Sequence, residues 1–358
     1  MNGSQTALIL GAGASRGVKY AHAGECPSPL DADFFDLLQR LSPKSPPDHD
    51  DQAVAFVLER LRSLPYEFRR SMERTFFTLH LRAYLSKKLA EEQPADTDQA
   101  IMAQFARAIQ KLLRTAHGKR VCEYHRRLFE LLAGGDVIVS FNYDLVAERA
   151  LRPVAEARNI AFASAIYGLD PLPPQMDIPL LFKLHGSSNW NVHNGNLRVR
   201  TKEWRDFDRT PGYRGYEGQK YAFPIFLPFW DKRIEQAPWL SLWKNAFHQL
   251  QRAAQVIVWG YSLPPTDIKA QQVFALALGG RKIRLCVIDP SVATRERWRS
   301  LFPEAQYWEY NSIPDFLGFP PPWAAPGGIP GGRGDHPPPL ARRPVSSRQP
   351  MPPRAAGG

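Results

Sequence analysis

The sequence predicts an α/β fold with a parallel sheet, and three stretches predict it. Thr6–Leu10 is an aliphatic run that ends in Gly11-Ala12-Gly13-Ala14-Ser15. Asp136–Ser140 ends in Phe141-Asn142-Tyr143-Asp144, and Leu180–Leu184 ends in His185-Gly186-Ser187. Each is a short strand-like segment that delivers small or polar residues to a turn, and helical patterns fill the intervals. Strands alternating with helices imply parallel pairing through right-handed crossovers. Ligands of such sheets sit beyond the carboxyl ends of the strands, so three strand ends aim polar groups at one crevice.

The remaining elements follow in chain order. Residues 16–33 read as loop, with Gly17, Gly24, Pro27 and Pro29. Phe34, Phe35, Leu37, Leu38 and Leu41 repeat as an amphipathic helix requires. Further helices are expected over Gln52–Ser63, Tyr66–Glu92, Asp98–Ala116 and Cys122–Leu132, with breaks at Pro43–Pro47 and around Pro94. This is an all-helical insertion, residues 34–133, between the first and second sheet strands. Gly134-Gly135 closes it in the position of a helix C-cap. A helix from Leu145 to Arg158, a short strand over 160–163 and the strand 180–184 come next. Residues 189–230 are rich in Gly, Asn, Trp and Tyr and read as a hairpin-bearing loop region, with a basic run from Arg198 to Arg214. Helix Trp239–Ala254, strand Val256–Trp259, a helix to Leu278, strand Ile283–Ile288, a helix to Phe302 and an edge strand Ala305–Tyr310 complete the pattern. The α/β domain therefore spans residues 1–33 and 134–318. From Pro320 onward, 12 prolines and 7 glycines in 39 residues cannot bury enough apolar surface to offset chain entropy, so 319–358 is expected to be a disordered tail.

Composition bounds the function. The chain has 358 residues, 44% of them hydrophobic and 11% aromatic, enough for a substantial core. Net charge is +11, but the tail carries five arginines against one aspartate, which leaves about +7 for the folded part. That balance admits a polyphosphate ligand and does not select nucleic acid, contact with which would run through a partner. Cys26, Cys122 and Cys286 stand alone, as expected in a reducing cytoplasm, and no Cys-x-x-Cys exists to hold zinc. No apolar run approaches the ~20 residues of a membrane helix.

The strand-end residues suggest chemistry. His185 sits where a base with a near-neutral pKa can act. The glycine turn 11–15 permits close approach of a phosphate, although Arg16 stands where the dehydrogenase fingerprint wants its third glycine. Asn142 and Asp144 either orient a water, a ribose hydroxyl or a carboxamide, or cap a helix. Ser262, Asp267 and Asp289 follow the later strands and suit ribose hydroxyls, while Asp289-Pro290-Ser291 equally suits a helix start.

Taken in order, Gly11–Ser15, Phe141–Asp144, Lys183–Ser187, Gly260-Tyr261-Ser262 and Asp289–Ser291 resemble the sirtuin superfamily. The closer resemblance is to its bacterial, NAD-hydrolysing, anti-phage branch. The resemblance implies a Rossmann-like sheet and NAD as substrate, with Gly11, Ala12, Gly13 and Ser15 around the phosphates. It gives Asn142 the water or ribose, Asp144 the nicotinamide carboxamide and His185 the role of general base. Gly260, Ser262 and Asp289 would hold the adenosine end. The zinc-binding cysteine pairs and the Gly-Ile-Pro-Asp-Phe-Arg loop of protein-deacylating sirtuins are missing, Arg16–Tyr20 standing in the loop's place. The implied activity is an NAD hydrolase without zinc, held silent until an activating partner, a phage-derived trigger or homo-oligomerisation releases it. The alternatives are an NAD-dependent deacylase or ADP-ribosyltransferase, or a non-catalytic NAD- or ADP-ribose-binding module.

Overall fold

The computed structural model describes residues 5–20, 26–41, 43–62, 64–88, 98–160, 166–169, 177–193, 196–199, 221–222 and 239–324. In chain order the elements are β1 (Gln5–Leu10), α1 (Ala12–Arg16), α2 (Phe34–Gln39), α3 (His49–Arg62), α4 (Met72–Lys88), α5 (Asp98–His117), α6 (Glu123–Glu130), β2 (Val137–Ser140), α7 (Val146–Ala157), β3 (Leu180–Lys183), β4 (Trp190–His193), β5 (Asn196–Val199), β6 (Tyr221–Ala222), α8 (Trp239–Arg252), β7 (Ala253–Trp259), α9 (Ile268–Leu278), β8 (Arg284–Ile288), α10 (Val292–Leu301), β9 (Gln306–Tyr310) and α11 (Ile313–Gly318).

Six strands form one wholly parallel sheet in the order β3-β2-β1-β7-β8-β9. The chain builds outward from β1 to β3, then returns beside β1 and builds outward the other way from β7. That is the Rossmann order, with its topological reversal between β1 and β7. The interiors of β1, β2, β3, β7 and β8 are mainly aliphatic and buried, as helices on either side demand, while the edge strand β9 is aromatic and partly exposed. Register places Leu10 level with Ser140 and Trp259, Ser140 with Lys183, and Trp259 with Ile288. Every segment named for chemistry therefore leaves the sheet at one height. A separate antiparallel sheet, β5-β4-β6, answers to the expected hairpin region.

The expected insertion lies between β1 and β2, but its last helix does not belong to it. Leu128, Phe129 and Leu132 lie in the sheet's own core, so α6 is a crossover helix of the α/β domain. The insertion has a distinct core in which Phe34, Leu38, Val57, Phe76, Phe105 and Leu112 are fully buried or nearly so. Ion pairs Asp51–Lys111 and Asp50–Arg114 tie α3 to α5. The segment expected as one helix from Tyr66 opens as a 3-10 turn, Tyr66–Arg70, before α4. The C-cap is also displaced from Gly134-Gly135: Leu131 caps α6, and Gly135 turns the chain into β2 with φ of 91°. Residues 319–324, expected to be part of the disordered tail, are ordered against the domain. Tyr310 donates to the Phe319 carbonyl, Pro321 is buried and Trp323 packs edge-on against Trp308, whose ring gives the segment apolar area to cover. Residues 325–358, most of the basic run 200–214 and the expected strand at 160–163 lie outside the described residues, apart from Ile160.

Candidate functional site

A cavity of about 840 Å³ opens at the carboxyl ends of the strands, across the β1/β7 reversal. Ala12, Gly13, Asn142, Asp144, His185, Gly260, Ser262 and Asp289 all line it. Gly11 and Ser15 stand behind its wall.

The glycine turn is built for docking as much as for a ligand. Gly11 N–H donates to the Trp259 carbonyl at 3.1 Å and Gly13 N–H to the Gly260 carbonyl at 2.9 Å. A Cβ at Gly11 would stand 2.4 Å from Tyr261 Cα, and one at Gly13 2.8 Å from Gly260 Cα. Glycine is needed here so that the turns after β1 and β7 can touch. Gly260 completes the contact with φ of 63°, a left-handed value that glycine adopts without strain. The expected phosphate approach thus finds the N–H groups of Gly11 and Gly13 already engaged.

Asn142 is fixed by its amide. Nδ2 donates to the Gly11 carbonyl at 2.8 Å and to Ser15 Oγ at 2.9 Å. Ser15 Oγ donates to Asp144 Oδ2 at 2.6 Å, and Asp144 Oδ1 accepts Val146 N–H at 2.9 Å. Asp144 therefore lines the cavity and braces the start of α7 through the Val146 N–H, although Leu145 is the N-cap of that helix. Burial alone would raise its pKa. His117, Lys183 and the Ser15 hydroxyl overcome that and hold it below the ordinary carboxylate value.

Lys183 comes from the strand that delivers His185, and it is wholly buried. Its Nζ donates to Glu148 Oε1 at 2.8 Å and to the Asp144 carbonyl oxygen. Tyr167 Oη donates to the same Glu148 oxygen at 2.9 Å. This ion pair, under the floor of the cavity, locks the end of β3 to α7.

His185 leaves β3 in a turn where Gly186 takes φ of 83°. Trp243 Nε1 pins the preceding carbonyl of Leu184 at 3.2 Å. The imidazole lies edge-on to Phe141 at 4.9 Å and stacks on Tyr143 at 6.2 Å. Its Nε2 meets Asp267 Oδ2 at 2.9 Å, and Tyr261 Oη donates to that same oxygen at 3.0 Å. A carboxylate only accepts, so Nε2 carries the proton and the neutral ring keeps its lone pair on Nδ1. Asp267 is the N-cap of α9, accepting Ala270 N–H, which holds the carboxylate still. Sequence reasoning placed Asp267 near a ribose. The fold places it on the histidine, a pairing across 82 residues that no spacing rule reveals.

At the other end, Asp289 Oδ1 accepts Ser291 N–H at 2.8 Å, and Ser291 caps α10. The helix start therefore falls two residues later than a cap at Asp289 with Pro290 at N1 would put it, and Asp289 lines the cavity. Among the described residues, no group of three His, Cys, Asp or Glu could hold a metal ion.

No family model matches this chain, and no curated protein does. Solved structures match at low identity. A Sir2 homolog–NAD complex is 14% identical, covering 88% of this chain and 87% of the other, with a TM-score of 0.38. A Sir2–p53 peptide–NAD+ complex is also 14% identical over 88% and 90%, at 0.37. Sir2Af2 bound to a myristoylated histone peptide is 11% identical over 88% and 89%, at 0.39. Each of these is a Sir2 protein. At such distance the fold assignment rests on the sheet order itself.

Proposed function

We propose that this chain cleaves the nicotinamide–ribose bond of NAD, releasing nicotinamide and ADP-ribose. One observation carries the reading. A single cavity at the Rossmann reversal joins a histidine–carboxylate pair and a braced asparagine at one end to Ser262 and Asp289 at the other. Dinucleotides bind across that reversal, and the cavity volume falls in the range of cofactor sites. The residues fit such a substrate. Carboxylates flank both ends, where ribose hydroxyls would lie, and the aromatic pair Phe141–Tyr261, stacked at 4.0 Å, forms the wall between.

NAD supplies a good leaving group, and positive charge builds on the ribose as the bond breaks. Asn142 positions the water or ribose hydroxyl through its carboxamide oxygen, since both amide hydrogens are spent. His185 accepts a proton on Nδ1, while Asp267 fixes its tautomer and balances the charge formed. Asp144 and Asp267 place negative charge beside the developing cation without reorganisation. A base so placed contributes roughly 10²–10⁴ in rate.

The partner or trigger expected for an NAD-depleting enzyme would act on the insertion. Phe34, Met72, Glu73, Ile109 and Leu113 line the cavity from that side, and Thr266 Oγ1 donates to Glu73 Oε2 across it.

The test is chromatographic quantification of NAD and its products with wild type, Asn142→Ala and His185→Ala. Release of nicotinamide and ADP-ribose that falls by about 100-fold or more in His185→Ala supports the scheme. A wild-type rate in that variant sinks it. Dependence on an acylated peptide would move the reading to a deacylase, and tight NAD binding without turnover to a binding module.

A further inference from the structure

Ser28, on the wall of the same cavity, is hydrogen-bonded to a buried histidine that is no part of the acid–base scheme above. His117, the last residue of α5, is 1% exposed, and both ring nitrogens are engaged. Nδ1 lies 2.7 Å from Tyr20 Oη, and Nε2 lies 3.1 Å from Ser28 Oγ. Ser28 is itself 4% exposed and lines the cavity wall. Tyr20 is only half-buried, with the Arg120 guanidinium 5.5 Å above its ring. The three side chains therefore run from the cavity wall, through a buried imidazole, to a phenol at the surface.

The hydrogen-bond chain can run with Ser28 donating to Nε2 and Nδ1–H donating to Tyr20. That is the arrangement of a nucleophile, its base and an orienting group. Burial depresses the His117 pKa, with Arg149 and Arg120 adding to the effect and Asp144 opposing it, so the ring is neutral and able to take a proton. Ser28 is also held in place. Arg16 donates to its carbonyl oxygen at 2.7 Å and pairs with Asp33 at 2.8 Å, which ties the serine to the turn that carries Gly13.

We propose that Ser28 is an acceptor of the ADP-ribosyl group, so that the chain modifies itself at the cavity wall during turnover; this rests on the NAD reading given above. Ser28 Oγ forms a bond to the anomeric carbon as the ribose–nicotinamide bond breaks. The bonding pair leaves with nicotinamide, which departs neutral. The hydroxyl proton passes to His117 Nε2, the proton on Nδ1 passes to Tyr20, and one proton reaches solvent.

The experiment uses the full-length chain incubated with NAD. Nicotinamide is quantified by chromatography, and the digested protein is mapped by mass spectrometry with fragmentation that preserves the linkage. The expected result is ADP-ribose on Ser28, rising with turnover and stable to neutral hydroxylamine, which would strip an ester on Asp31. Ser28→Ala loses the adduct at that position. His117→Asn forms about 100-fold less adduct per nicotinamide released, because asparagine cannot take the proton. Nicotinamide release with no adduct on Ser28, or with the adduct on another residue, overturns the proposal and leaves the hydrolase reading standing. No nicotinamide release under any condition overturns both. Mapping of the wild-type chain decides these outcomes even if a variant fails to fold.

Discussion

Asp267 shows how much a single carboxylate decides at this site. It accepts from His185 Nε2, from the Tyr261 hydroxyl and from the first turn of α9. Asparagine caps a helix as well as aspartate does, so Asp267→Asn keeps an acceptor for the Ala270 N–H while removing the charge and putting an amide NH2 where an oxygen accepted from His185 and Tyr261. We expect its rate of nicotinamide release to fall by about 100-fold with little change in KM, and the acidic limb of the pH–rate profile, which reports the base His185, to move to lower pH. An unchanged profile would show that Asp267 serves the helix alone. Asn142 makes the complementary point: its amide bonds to Gly11 and Ser15 orient it before any substrate arrives.

At the scale of elements, two contacts hold the strand ends in line. The first is the glycine contact between the turns after β1 and β7. A Cβ at Gly260 would stand 2.2 Å from Ala14 N, against backbone that cannot retreat, and φ of 63° adds strain. Gly260→Ala should therefore lose at least about 2 kcal/mol in urea unfolding. The second is the buried pair Lys183–Glu148, both side chains fully enclosed. Lys183→Met strands the carboxylate and should cost roughly 3–5 kcal/mol, whereas Lys183→Met with Glu148→Leu should recover most of that loss. A double variant as unstable as the single one would refute this account. Gly186, in the turn of the same strand, frees His185 to leave the sheet.

For the whole molecule, stability couples to pH through a histidine that joins α6 to the sheet. The His125 ring lies 4.3 Å from that of Trp259, tilted by 40°, and burial, opposed by Asp144, pushes its pKa down to about 3. The folded value lies below the unfolded one near 6.5, so protons favour the unfolded chain. Its contribution is complete above pH 6.5 and is lost as pH falls from there toward 3. Between pH 7 and 5 we expect about 2 kcal/mol of stability to go, measured as the shift of the urea midpoint, and His125→Leu to flatten that slope. A His125→Leu variant with an unaltered slope would assign the effect elsewhere. At this scale the insertion also matters, because its separate core presents Ile109 and Leu113 to the cavity roof.

The sequence alone determined the strands, the helices and which strand ends carry polar groups, because aliphatic runs and helical periods are local signals that burial enforces. It located Asn142 and Asp144 at one such end and His185 at the next, and the shared register then brought them to one level. Three matters were decided only by tertiary structure. The assignment of α6 to the sheet core depends on which neighbours it packs against, a property of the assembled domain. The glycines at 11 and 13 proved to serve a turn-to-turn contact, since the partner Gly260 lies some 250 residues away in the chain. The pairing of His185 with Asp267, and of Ser28 with His117, joins side chains whose separations follow no period. Local pattern sets which residues an element presents, but long-range closure of the sheet sets which of them meet, and the chemistry of this cavity depends on those meetings.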